Sequence, residues 1–394
     1  MKIRISKSHA FTLIPDERND MPTYNEYADI APVNPRNPFR NPTEEPDYTP
    51  DYREVLPEID LPECKLELMP SAAERTGIRR YFSMTFLTLL FAFFISATCF
   101  TALRLILTAV LRQVDLRAVG DLPENYLLIA DQYMQDSAVG IAVTLISFLA
   151  GNLTAFAVGC KLTGVQPRTL FQTRELRAVH CVLYGAASLW IQMLTGLLAD
   201  GLISVSSRAG FPLTAPESFG VGSAMRTMAY VLYGCIIAPV TEELLLRGFA
   251  LKNLSRVSQR FGILMTAFLF GVMHENVLQF LFTFPLGILL GYITIRHNSV
   301  LPAIAVHITV NAVSVLMDLM KDVLPLGTFR TVNMVYMLTV LVLGTVAVLF
   351  LLATERLPDN TPHQNLRGMR IALTSPLFSA LLAVHIVSAL LNVL

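Results

Sequence analysis

From residue 79 onward the chain is a succession of apolar runs broken by short polar segments. The runs lie near 79–102 (extending toward 112), 138–159, 179–204, 224–250, 262–276, 277–295, 301–319, 333–353 and 372–393. A helix needs about 20 residues to cross a hydrocarbon core, so this pattern predicts an all-α, polytopic transmembrane bundle of about 8–9 spans. The fifth run is short and leads almost directly into the sixth, which makes it the least defined of the nine. Positive charge falls on alternate breaks. Arg79 and Arg80 precede the first run, and Lys161, Arg168, Arg174 and Arg177 follow the second. Lys252, Arg256 and Arg260 follow the fourth, Arg296 and His297 the sixth, and Arg356, Arg367 and Arg370 the eighth. By the positive-inside rule these breaks, and the N-terminus with them, are expected on the cytoplasmic side.

Residues 1–76 break the pattern. They hold eleven of the 22 prolines and fifteen of the 30 acidic residues, with nine basic ones and no sustained apolar period. Such a segment cannot bury enough apolar surface to offset its chain entropy, and it is expected to be a disordered, Pro-rich cytoplasmic tail. The bundle is then residues 77–394. Composition narrows the rest: 53% of the 394 residues are hydrophobic and 15% charged, and 30 basic residues balance 30 acidic ones. That balance excludes an electrostatic case for nucleic-acid binding. Cys64, Cys99, Cys160, Cys181 and Cys235 are scattered without a CxxC pair, so neither a disulfide framework nor a zinc knuckle is expected.

Ionisable groups inside apolar spans are costly, and each is a functional candidate. The fourth run contains Pro239-Val240-Thr241-Glu242-Glu243-Leu244-Leu245-Leu246-Arg247. On a helix Glu243 and Arg247 share a face and can pair. Glu242 is rotated by about 100° from Glu243, which leaves it able to take a proton from water. The fifth run ends in Phe270-Gly271-Val272-Met273-His274-Glu275-Asn276, and the seventh carries His307-Ile308-Thr309-Val310-Asn311. Counted from the basic end, Glu242 lies ten residues from Lys252, His274 fourteen from Arg260 and His307 ten from His297. These are depths of roughly 15, 21 and 15 Å, so the acid and the two imidazoles are expected at similar levels.

In this order, on separate spans, the motifs E-E-x-x-x-R (Glu242, Glu243, Arg247), F-x-x-x-H (Phe270, His274) and H-x-x-x-N (His307, Asn311) resemble the signature of the CPBP family. That family comprises CAAX prenyl proteases and bacteriocin-processing enzymes and is also called ABI. The resemblance covers about residues 180–320 as a catalytic core. It implies an intramembrane endopeptidase acting on a membrane-associated or lipidated protein or peptide. By the same resemblance Glu242 and His274 activate water, His307 and Asn311 stabilise the oxyanion, and Glu243, Arg247 and Phe270 support them. It leaves the cofactor open between none and a single Zn2+, for which Glu242, His274 and His307 would be the ligands; HExxH is absent.

Two other classes answer to the same polar residues. One is a non-catalytic scaffold or bacteriocin immunity protein, the other a proton-coupled secondary transporter with a mid-membrane relay. The lack of a visible duplicated half argues against the transporter. A bacterial plasma membrane is the expected location, since no targeting or retrieval signal is visible.

Overall fold

The computed structural model describes residues 2–5, 11–14, 72–119, 126–211, 213, 222–256, 258–355 and 365–393. Ahead of the bundle, β1 (Lys2–Ile5) and β2 (Phe11–Ile14) pair antiparallel, with Lys2 opposite Ile14 and Ile5 opposite Phe11. The rest of the expected disordered tail, up to residue 71, lies outside the described residues.

The helices follow in chain order as α1 (Ala72–Val119), α2 (Tyr126–Asp136), α3 (Ala138–Thr163), α4 (Ala178–Arg208) and α5 (Ala224–Leu254). Then come α6 (Gln259–Val272), α7 (Val277–His297), α8 (Leu301–Val323), α9 (Leu326–Thr354), α10 (Asn365–Leu373) and α11 (Pro376–Val393). Seven helices of the described residues are long and apolar enough to span a membrane: α1, α3, α4, α5, α7, α8 and α9. The fifth and ninth hydropathy runs become the shorter apolar helices α6 and α11. With 14 residues, α6 reaches only about 21 Å against a hydrocarbon core of about 30 Å. It turns back at residues 273–276 into α7, so α6 and α7 form a hairpin with both outer ends at the basic end of the bundle.

The core is built around α5. Leu245, Leu246, Phe249 and Leu254 pack with Phe82, Phe86 and Leu89 of α1, Leu269 and Phe270 of α6, and Phe378 and Leu381 of α11. A second cluster joins Tyr184 of α4 to Leu286, Leu290 and Ile293 of α7 and Val306 and Val310 of α8. Helix α9, by contrast, shows Leu338, Val342, Leu349 and Leu352 on its outside, a surface suited to acyl chains.

Hydrogen bonds close the basic end. Tyr184 OH meets His297 Nε2 at 3.0 Å, and His297 Nδ1 lies 3.0 Å from the Arg174 carbonyl. Just beyond α9, Glu355 accepts from Tyr292 OH at 2.5 Å and from Arg296 Nε at 3.0 Å. Burial pushes the Glu355 carboxyl up, but the bonds from Tyr292 and Arg296 outweigh it and hold it below its ordinary value of 4.5. A depressed carboxyl contributes stability that is present above the ordinary pKa and lost as pH falls through the folded one. Unfolding midpoints measured in detergent should therefore drop as the medium is acidified below about pH 4.5, and Glu355→Gln should flatten that part of the curve.

Candidate active site

Helix α5 is irregular where its acids sit. Two π-helical stretches, Leu232–Ile237 and Leu244–Ala250, flank the α-helical turn Ala238–Glu243. Such insertions are rare and recur at functional sites. The first has a local cause. Ala238 N–H donates to the Tyr233 carbonyl, and Pro239 has no N–H to give, so the Gly234 carbonyl loses its helical donors. Asn311 Nδ2 of α8 supplies one at 2.8 Å. This bond ties α8 to α5 about two turns before the acids.

Glu243 and Arg247 pair as the spacing predicts. Arg247 Nη1 donates to Glu243 Oε1 at 2.8 Å, and both side chains are fully buried. Arg247 Nη2 also donates to the Gly287 carbonyl of α7 at 3.3 Å, and its guanidinium carbon stands 4.6 Å from the Phe270 ring centroid. Gly287 makes this approach possible. A Cβ there would lie 2.9 Å from Ala267 Cα and 3.1 Å from Arg247 Nη2.

Glu243 has a second task that spacing did not reveal. Its Oε1 also lies 3.0 Å from His307 Nδ1. A carboxylate only accepts, so His307 Nδ1 carries the proton and Nε2 points onward. It points at Glu242, with Nε2 and Oε2 3.8 Å apart, too far for a hydrogen bond but within ion-pair reach. The Glu242 side chain retains 14% exposure where Glu243 has 0%, so Glu242 is the acid that solvent can meet.

His274 is not on a span. It lies in the turn between α6 and α7, where Glu275 adopts a left-handed φ of 54° and Asn276 caps α7 through its side chain. Its Nδ1 is 2.8 Å from the Phe270 carbonyl, and a backbone carbonyl likewise only accepts, leaving Nε2 as the proton-accepting nitrogen. The Phe270 ring contacts both imidazoles edge-on, with centroids 4.9 Å from His274 and 5.5 Å from His307. Glu242, His274 and His307 therefore come from three different elements, with the Phe270 ring against both imidazoles.

Two details of the placement bear on the chemistry. Asn311 does not present a wholly unengaged amide, because one N–H is spent on the Gly234 carbonyl. Both imidazoles have the tautomer that suits metal ligation, with Nδ1 engaged and Nε2 bare. Even so, among the described residues no three His, Cys, Asp or Glu side chains converge on a point that could hold an ion. The zinc set Glu242, His274 and His307 does not fit as placed, and the chemistry below is derived from the protein's own groups.

Sequence reasoning missed Gly234, Gly287 and Glu275. Only the first had a readable signal, the proline five residues downstream inside a span. The role of Asn311 is checked by Asn311→Asp, which keeps shape but removes the donor. A buried carbonyl left without a partner costs about 1–3 kcal/mol, which a lowered thermal midpoint in detergent should register.

Residues 224–313 match the family model described as type II CAAX prenyl endopeptidase Rce1-like. The match is narrower than the 180–320 expected from the motifs, yet includes every one of their residues. No curated protein and no solved structure matches the chain. Helices α5 to α8 thus carry a membrane-embedded type II CAAX prenyl endopeptidase domain of the Rce1-like (CPBP/ABI) family, whose membership implies an intramembrane protease.

Proposed function

We propose that the chain is an endopeptidase that hydrolyses a peptide bond in a membrane-associated or lipidated protein or peptide, with water activated by Glu242. The observation that carries this reading is the facing of Glu242 and His307 at 3.8 Å, with His307 backed by the buried Glu243–Arg247 pair. One carboxylate holds the imidazole while the other stays open to water. A buried pair that served packing alone would need no second acid.

A water held between Glu242 and His274 Nε2 loses a proton to Glu242 as its oxygen bonds to the scissile carbonyl carbon. The negative charge that develops on the carbonyl oxygen is met by His307 Nε2, in its protonated form, and by the second amide N–H of Asn311. One such donor is typically worth roughly 3–4 kcal/mol of barrier. As the tetrahedral intermediate collapses, the C–N bond breaks and the Glu242 proton passes to the leaving amine. The carboxylate is then restored. Arg247 neutralises Glu243, so that this acid orders His307 and does not compete for the water's proton.

The basic end of the bundle faces the cytoplasm in this reading, and the N-terminus lies there with it, in a plasma membrane. The reading is tested by reconstituting the purified chain in liposomes with a prenylated or lipid-anchored peptide. Mass spectrometry should find paired products whose mass sum exceeds the substrate by one water. Intact substrate with wild-type protein, across both anchored forms, would refute it. Proton-coupled solute uptake by the same liposomes would then favour a transporter.

A further inference from the structure

The turn that carries His274 is tethered from outside the matched domain. Glu275 follows His274 directly and adopts a left-handed backbone, with φ 54°. Glycine is the residue that tolerates this region without strain, and a glutamate there calls for an explanation. Its side chain supplies one. Glu275 Oε1 accepts from His385 Nδ1 at 2.9 Å, and Oε2 accepts from Ser388 Oγ at 2.6 Å. Both partners stand on α11, three residues apart and on one face.

The tether is buried and shaped. His385 is 3% exposed, and its ring meets Phe93 of α1 edge-on at 5.0 Å. Donation from Nδ1 to a carboxylate fixes the His385 tautomer. On the other side of the turn, His274 N–H donates to the Gly271 carbonyl and Glu275 N–H to the Val272 carbonyl. Asn276 Oδ1 accepts from Leu278 N and Gln279 N. A Cβ on Gly271 would lie 2.5 Å from the Phe280 ring, so the turn is closed tightly over α7. The backbone bonds set the shape of the turn; the bonds of Glu275 set where it sits relative to α1 and α11.

We propose that Glu275, His385 and Ser388 form a latch by which α11 positions the His274 imidazole beside Glu242, so that the last helix completes a site otherwise built from residues 224–313. Glu275 is a positioning residue and touches no reacting atom. The inference rests on the proposed peptidase reading for its kinetic consequence, but not for the latch itself. A misplacement of about 1 Å costs on the order of 100-fold in rate, and it acts on the chemical step more than on substrate capture.

The test uses the full chain in liposomes and four variants. Glu275→Gly suits the left-handed backbone while removing the tether, and Ser388→Ala with His385→Leu removes it from the other side. Glu275→Gln keeps one acceptor oxygen for Ser388. With a lipid-anchored fluorogenic peptide, Glu275→Gly and the α11 double variant should lower kcat by about 10- to 100-fold with KM within about twofold. Glu275→Gln should recover most of the loss, as should Ser388→Thr, which keeps the hydroxyl. A second readout needs no peptidase activity: amide hydrogen exchange across residues 272–276 should accelerate in the two untethered forms and not in Glu275→Gln. Wild-type kcat in Glu275→Gly, or unchanged exchange in that turn, would overturn the latch. Accelerated exchange in a protein whose wild type cleaves nothing would instead leave the latch standing and remove the peptidase reading.

Discussion

Glu242→Gln should abolish peptide cleavage while leaving the fold intact. Glutamine matches the carboxylate in shape and can still hydrogen-bond, but it cannot accept the proton that water must shed. General-base contributions are typically 10²–10⁴-fold, and here the same group must also hand its proton to the leaving amine. The expected fall in kcat is therefore at least 1000-fold, near background, with KM little changed because the side chain takes no part in holding the rest of the substrate. The fold should survive because Glu242 keeps 14% exposure and stands 3.8 Å from His307 Nε2, too far for a hydrogen bond. Thermal unfolding of the variant should track the wild type. Cleavage within tenfold of wild type would show that another group deprotonates the water.

Arg247→Met should have the largest effect on stability. The guanidinium is fully buried and neutralises a carboxylate that is also fully buried, at 2.8 Å. Removing it leaves Glu243 with His307 as its one remaining partner in the site and also withdraws a donor from the Gly287 carbonyl. Breaking a buried pair from one side typically costs about 3–5 kcal/mol, because the surviving charge stays desolvated. For a fold stabilised by only about 5–15 kcal/mol, such a loss should lower the detergent unfolding midpoint markedly and reduce the yield of folded protein. Combining it with Glu243→Gln should return much of the stability, since no uncompensated charge then remains. The double variant should stay catalytically poor, however, because His307 has lost the acceptor that fixes its Nδ1 proton. Equal stability of the single variant and the wild type would show that the pair carries no such load.

The two outcomes separate what the adjacent acids do. Glu242 and Glu243 are neighbours in sequence, yet one contributes chemistry and the other order. A helix turns by about 100° per residue, and that rotation divides an exposed carboxylate from a buried one.

Much of this was legible in the chain. The placement of the seven spanning helices followed from apolar runs of membrane length, and the alternation of basic breaks gave the shared end of α5, α6, α7 and α8. The Glu243–Arg247 pair followed from an i,i+4 spacing, and the shared level of Glu242 and His307 from rise per residue alone. These are local quantities. Period, rise and charge are properties of a segment taken singly, and in lipid a span must satisfy its own backbone as a helix whatever surrounds it.

Other features depended on which segments meet. Residues 262–276 read as one apolar run, but a left-handed Glu275 and the Asn276 cap end α6 at Val272 and move His274 from a span to the tip of a hairpin. Asn311 reads as a donor for substrate, and its bond to Gly234 exists because Pro239 leaves a carbonyl without its helical partner on another helix. His385 and Ser388 carry no motif at all. They matter because α11 packs where the hairpin tip is, far from Glu275 along the chain. The sequence by itself determined the membrane bundle, its basic end and the depth of its polar groups, because hydrophobicity and helical geometry act within each run. Only the tertiary structure decided which nitrogen of each histidine is engaged and what holds His274 in place. Those depend on hydrogen bonds between distant segments, and no periodicity records them.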